Sequence, residues 1–189
     1  ENAEEKKSFN EENAYYAEPE VFRIFTIPVL EGSQDKGLTG PFNIMLSENA
    51  AKRYFGDERA TGKSLKVNNR YDVVVSGVYQ DFPEQSHWHP DILVSFSTLN
   101  DTTIYGRRGL ETNWGNNSFG TYILANENFD AKKTEQQFPA FVDRHHVCVD
   151  REGARRQDSA DHRRLWPQRI GRRRRVQVEL PHPGQLLDR

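Results

Sequence analysis

The residues whose types and spacing come closest to a chemical motif lie at 56–64 and 86–89. Gly56-Asp57-Glu58-Arg59-Ala60-Thr61-Gly62-Lys63-Ser64 resembles a phosphate-binding loop, in which backbone amides and a lysine cradle phosphate oxygens. That pattern needs four residues between its glycines, and five separate Gly56 from Gly62. A phosphate loop also follows a strand and feeds a helix, whose free N-terminal amides hold the anion. Here the flanking patterns predict the reverse order, so the stretch reads as a helix-to-strand connection. Ser86-His87-Trp88-His89 sets two imidazoles at i and i+2. On a strand they share a face and could take a metal. No third ligand follows at a telling spacing, and His145 and His146 are far away in sequence, so a surface turn is the plainer reading.

Other chemistries find less support. There is no G-x-S-x-G elbow to expose a nucleophilic serine. Cys148 has no defined partner, and one cysteine cannot form an intrachain disulfide. Asp81 and Glu84 flank Phe82-Pro83, where acids solvate a turn more readily than they form a catalytic pair. Phe22, Phe25, Tyr54, Phe55, Phe82, Trp88, Phe96 and Phe119 could line a pocket, but such residues more often build a core. The sequence therefore nominates no catalytic, cofactor-binding or metal-ligating residue, and no cofactor.

The elements that would position these side chains follow from periodicity. Residues 1–13 are acidic and nearly devoid of apolar side chains, which predicts a solvated lead-in. Tyr15 and Tyr16 suit a short strand. Glu18-Pro19-Glu20 suits a helix start, with Val21, Phe22, Ile24 and Phe25 as its apolar face. Ile27, Val29 and Leu30 continue as an extended piece ended by Gly32. Phe42, Ile44 and Leu46 alternate as in a half-buried strand. Ser47 is a good N-cap for a helix with Ala50, Ala51, Tyr54 and Phe55 on one face, closed by Gly56.

Ser64–Val67 and Tyr71–Tyr79 read as a hairpin about Asn68-Asn69. Gly77 inside it marks a bulge or a close backbone approach, and Pro83 stops it. Asp91–Phe96 reads as a strand, 100–118 as a long loop anchored by Trp114, and Phe119–Ala125 as another strand. Asp130 caps a helical stretch with Phe138, Phe141 and Val142 on its buried face, and Pro139 divides it. The sum is an α+β fold: a mixed, mainly antiparallel sheet with short helices.

Charge divides the 189-residue chain. The net charge of −2 combines −7 over residues 1–144 (15 basic, 22 acidic) with +5 over residues 145–189 (11 arginines, 6 acids). The tail has no lysine, phenylalanine or tyrosine. Three readings of it stand: a disordered basic tail, a nucleic-acid contact through Arg172–Arg175, and a stretch translated out of frame. An acidic body would repel a polyanion, so no nucleic-acid partner is expected.

Three segments together resemble a family. They are Tyr16–Phe25 with Pro28–Gly32, Leu46–Gly56 with Gly62–Leu65, and Val75–His87. Their order and spacing resemble the extracytoplasmic, MacB-like periplasmic core domain of MacB/FtsX-type ABC transporter permeases, in the form common in Bacteroidetes. Trp114-Gly115, Phe119–Leu124 and Phe138–His145 are similar too. The resemblance spans residues 14–145 and leaves 1–13 as lead-in and 146–189 as tail.

The resemblance implies a non-catalytic domain, not an enzyme. It implies a fragment of a two-part core domain with a β-rich outer part that includes the hairpin. The permease would lie in the inner membrane with this domain in the periplasm. It would dimerise and pair with a cytoplasmic ATPase through a membrane part missing here, and could touch a periplasmic or outer-membrane partner. ATP-driven change would then pass to a substrate or partner protein. The rival is a stand-alone soluble module that binds a ligand or protein.

Overall fold

The computed structural model describes residues 8–113, 118–146 and 176–179. The chain divides into two compact units, residues 1–107 with 173–189, and residues 108–172.

The first unit is an eight-stranded mixed sheet. Its strands are β1 (Ser8–Glu11), β2 (Ala14–Ala17), β3 (Val29–Gly32), β4 (Asn43–Ser47), β5 (Ser64–Val67), β6 (Tyr71–Tyr79), β7 (Ile92–Ser95) and β8 (Val176–Glu179). The spatial order is β1-β8-β5-β6-β4-β7-β2, and β3 also pairs with β6. Only β2·β7 and β4·β6 are parallel; the other pairs are antiparallel.

Strand β6 organises the sheet. Its first half pairs with β5 and its end with β3, while β4 runs parallel along its other side. Asn68 and Asn69 both take positive φ, and Arg70 N–H donates to Val67 O at 3.0 Å, so the predicted tight turn forms. The register between β4 and β6 slips at Ser76, which makes the expected bulge. Ser76 Oγ lies 2.6 Å from Gly37 O and 2.8 Å from Ile44 O, either of which can take its proton. Gly32 and Gly77 face each other, and a Cβ on either would collide with the opposing backbone.

Alternation along the central strands feeds two cores. Ile44, Leu46, Val73, Val75 and Ile92 join Ala50 and Tyr54 on one face. Met45, Tyr79 and Leu93 join Phe22, Leu38 and Phe82 on the other. The period-two pattern predicts a half-buried β4, yet Ile44–Ser47 are all buried. Met45 fills the second face, as is usual where helices and loops cover both sides of a sheet.

Helix α1 (Val21–Ile24) packs on the Met45 face. It ends with Thr26 at φ 56° and a bond from Ile27 N–H to Phe22 O of 2.9 Å. That is a Schellman closure, with Ile27 and Phe22 in the same core as its apolar contact. Helix α2 (Glu48–Phe55) is capped by Ser47, whose side chain accepts from Ala50 N–H at 3.2 Å, and ends at left-handed Gly56. A 3₁₀ helix, Phe96–Asn100, takes over where the strand pattern of 91–96 predicted continued extension.

Two expectations change at the sheet edge. Residues 8–11 of the expected lead-in form β1, because Phe9 packs on Tyr54 at 4.8 Å and Glu11 is buried against Arg53. In the segment 146–189, Val176–Glu179 forms β8 between β1 and β5. The other tail residues from 147 on, Cys148 and Arg172–Arg175 among them, lie outside the described residues, as does Trp114.

In the second unit, α4 (Ala131–Glu135) is capped by Asp130 and α5 (Phe138–His146) follows after a turn at 136–137. Helix α3 (Arg107–Thr112) occupies part of the stretch predicted as loop. Residues 119–125, predicted as a strand, carry no regular secondary structure, and Ile123 and Leu124 are 64% and 68% exposed. Phe138, Phe141 and Val142 are exposed as well. The periodicity is right for a strand and a buried helix face, but a period names a face without supplying what covers it.

Val75 is fully buried in the β6 ladder. Val75→Asp should lower unfolding stability by about 3 kcal/mol or more, since an unpaired charge would enter the core. Near-native thermal unfolding would contradict this placement. Thr26→Gly should raise stability by about 1 kcal/mol, by releasing a β-branched residue from the left-handed region; denaturant unfolding reads the gain.

Candidate functional site

The glycine-bracketed loop at 56–64 connects α2 to β5, as its flanking patterns predict. Thr61, Arg59, Lys63 and Glu58 are engaged by the chain itself. Thr61 Oγ1 donates to Glu31 Oε2 at 2.7 Å, Thr61 N–H reaches the same oxygen at 3.3 Å, and Arg59 Nε lies 3.8 Å from it. The anion this loop meets is therefore a carboxylate on β3. Gly62 N–H donates to Val75 O at 2.7 Å, and Val75 N–H donates to Lys63 O at 2.8 Å, which extends the ladder into the loop. Lys63 pairs with Glu58 and lies 4.6 Å above the Phe55 ring. That ammonium holds the Glu58 carboxyl below its ordinary range.

Ser86–His89 is a bend followed by irregular chain rather than strand, so the two imidazoles lack a strand's shared face. Trp88 is the inward member, and His87 and His89 are exposed. Among the described residues, no three His, Cys, Asp or Glu side chains gather as a metal site would require. Asp81 accepts from Asn49 N–H at 3.4 Å, and exposed Glu84 is not brought into a carboxylate pair with it by any contact seen.

Most of the named aromatic residues enter the cores. Phe22, Phe25, Phe82 and Trp88 join Tyr15 and Tyr79 in one continuous aromatic set on the Met45 face. Tyr15–Trp88 and Phe82–Trp88 meet edge-on at 5.3 and 5.4 Å, and Phe25 lies 5.7 Å from Trp88. Tyr54 and Phe55 belong with Phe9 on the other face. Phe96 opens the 3₁₀ helix, and Phe119 is exposed. Phe25 and Trp88 are half-buried, so the aromatic set also reaches the surface.

A buried polar cluster escaped the sequence reading. Glu11, 6% exposed, accepts from Arg53 Nη2 at 2.8 Å, and Arg53 lies 5.4 Å over the Tyr54 ring. The Tyr54 hydroxyl is buried without a hydrogen bond of good geometry. Burial first, and then the Glu11 carboxylate, push its ionisation well above the ordinary phenol range. Tyr79 shifts the same way, from burial and then from Asp91 and Asp81, and its hydroxyl donates to Pro90 O at 2.9 Å. The available signal for the cluster was an isolated apolar Phe9 two residues before Glu11; an alternation of two residues is too short to set apart from a polar lead-in.

This arrangement defines an α+β scaffold domain. Its polar side chains pin loops to a two-faced sheet. The profile of the MacB-like periplasmic core domain matches residues 2–141. No curated protein matches the chain. A domain of an inferred permease protein from Porphyromonas gingivalis has a similar fold, with a TM-score of 0.54 at 17% identity. That match covers 93% of this chain and 70% of the other. The periplasmic region of MacB from Actinobacillus actinomycetemcomitans aligns with a TM-score of 0.49 at 18% identity, over 75% of this chain and 65% of the other.

The chain belongs to the MacB-like periplasmic core domain family. It is thus a periplasmic domain of the ABC transporter permease kind. Among the described residues no helix is long and apolar enough to cross a membrane.

Tyr54→Phe should stabilise the fold by roughly 1 kcal/mol, because it deletes a buried hydroxyl that lacks a hydrogen bond. The native chain should also lose stability above pH 10. There unfolded tyrosines release protons that folded Tyr54 and Tyr79 retain, so the unfolded state gains. Tyr54→Phe should flatten that alkaline decline in urea-unfolding series at pH 8 to 11; an unchanged slope would refute the assignment.

Proposed function

We propose that this domain works as a non-catalytic transmitter: it receives ATP-driven conformational change from a permease's membrane part and passes it to a substrate or partner protein. The observation that carries the reading is the build of the sheet. One strand, β6, is paired along both edges, and both faces of the strands around it are packed. Close packing transmits displacement instead of absorbing it. Family membership supplies the transporter setting.

In this reading the whole protein sits in the inner membrane, dimerises, and couples to a cytoplasmic ATPase. Its periplasmic face meets a periplasmic or outer-membrane partner. The partly exposed aromatic set around Trp88 offers that partner apolar area with fixed geometry. The alternative is a stand-alone binding module that uses the same aromatic surface.

Antibody against residues 1–144 decides between them in native cells. A membrane-bound polypeptide longer than this chain, co-purifying with an ATP-binding subunit, is the expected result. A free species of this chain's length alone would support the module. Transmission itself is read from spin labels at exposed Gln85→Cys in the purified permease dimer. The distance between labels should change on adding a non-hydrolysable ATP analogue, and an unchanged distance would rule transmission out.

A further inference from the structure

Strand β1 and strand β5 do not pair with each other; β8 lies between them. Ser8–Glu11 pair antiparallel with Glu179–Val176 on one side, and Lys66 and Val67 pair with Glu179 and Val178 on the other. Among the described strands, β1 pairs with β8. It is also held by side chains: Phe9 against Tyr54, and Glu11 against Arg53, both on α2. Strand β5 is held independently by β6. Two rails are therefore fixed about two ladder spacings apart, roughly 9–10 Å, with rows of backbone donors and acceptors facing the gap.

The rails and the occupant come from different parts of the chain. Both β1 and β5 lie within the family match at 2–141, and β8 lies beyond it. The occupant's segment carries +5 and the body −7, which favours its approach. The occupant's sequence, Val176-Gln177-Val178-Glu179, alternates apolar and polar residues.

We propose that the gap between β1 and β5 is a strand-acceptor site. Its ligand is an extended peptide with small apolar residues at alternate positions, and Val176–Glu179 is a displaceable occupant supplied in cis. Main-chain hydrogen bonds to both rails supply affinity, and alternate side chains supply selectivity. The proposal goes beyond the transmission reading and does not depend on it.

The test uses the full chain. In a Val176→Pro/Val178→Pro double variant the occupant loses two ladder donors and cannot seat. A fluorescent peptide spanning residues 174–181 (RRVQVELP) should bind this variant at least tenfold more tightly than it binds the native chain, by anisotropy. Equal binding to both, or binding to neither, overturns the proposal. Hydrogen exchange on the native chain guards against a variant that fails to fold. Slow exchange at 8–11 and 66–67 is expected in the native chain, where the occupant is seated, and excess unmodified peptide should leave it slow because either strand pairs with the rails. Rapid exchange at 8–11 in the native chain alone would overturn the proposal.

Discussion

Everything in the first unit depends on the ladder around β6. A nine-residue strand is long enough to serve two short strands on one edge and a parallel strand on the other. The register with β4 slips at Ser76, and β3 slips in its turn between Val29 and Glu31, so that Gly32 meets Gly77. The extra residue is not left unsatisfied, because its hydroxyl lies against two carbonyls. Backbone hydrogen bonds thus set the layout, and the two cores then fill the space on either face.

Around that ladder, polar side chains act as ties between segments remote in sequence. Glu31 fastens the 56–64 loop. Ser95 Oγ donates to Leu38 O at 2.6 Å, and Phe42 N–H donates to Thr98 Oγ1 at 2.8 Å. Asp91 accepts from Asn13 Nδ2 at 3.0 Å while its carbonyl accepts from Ser47 N–H at 2.9 Å. Each tie holds together segments that are far apart in sequence. Side chains that resemble chemistry in the sequence are here occupied with structure.

Local signals were legible where the segment carries its own solution. Ser47 as cap, Asn68-Asn69 as turn, Gly77 as a close backbone approach and Asp130 as cap all follow from short-range geometry. Burial was less legible, because it depends on distant partners. Met45 looked like the outward residue of an alternating strand until the α1 face covered it. Phe9 and Glu11 looked solvated until α2 supplied Tyr54 and Arg53. Phe138 and Phe141 show the converse, apolar positions on a helix that remain exposed. The loop at 56–64 was separable from a phosphate site by spacing and element order, but the role of Glu31 was not legible, since it lies thirty positions from Thr61.

The facing glycines at 32 and 77 have a genetic consequence. At most crowded positions an enlarged residue can be rescued by shrinking its neighbour. Here a new Cβ at Gly32 meets the Ser76 carbonyl, and one at Gly77 meets the Glu31 carbonyl, so the obstruction is main chain that no codon change removes. Second-site suppressors of either lesion cannot arise at the point of contact. They would have to act at a distance, by strengthening the rest of the sheet enough to tolerate a broken crossing.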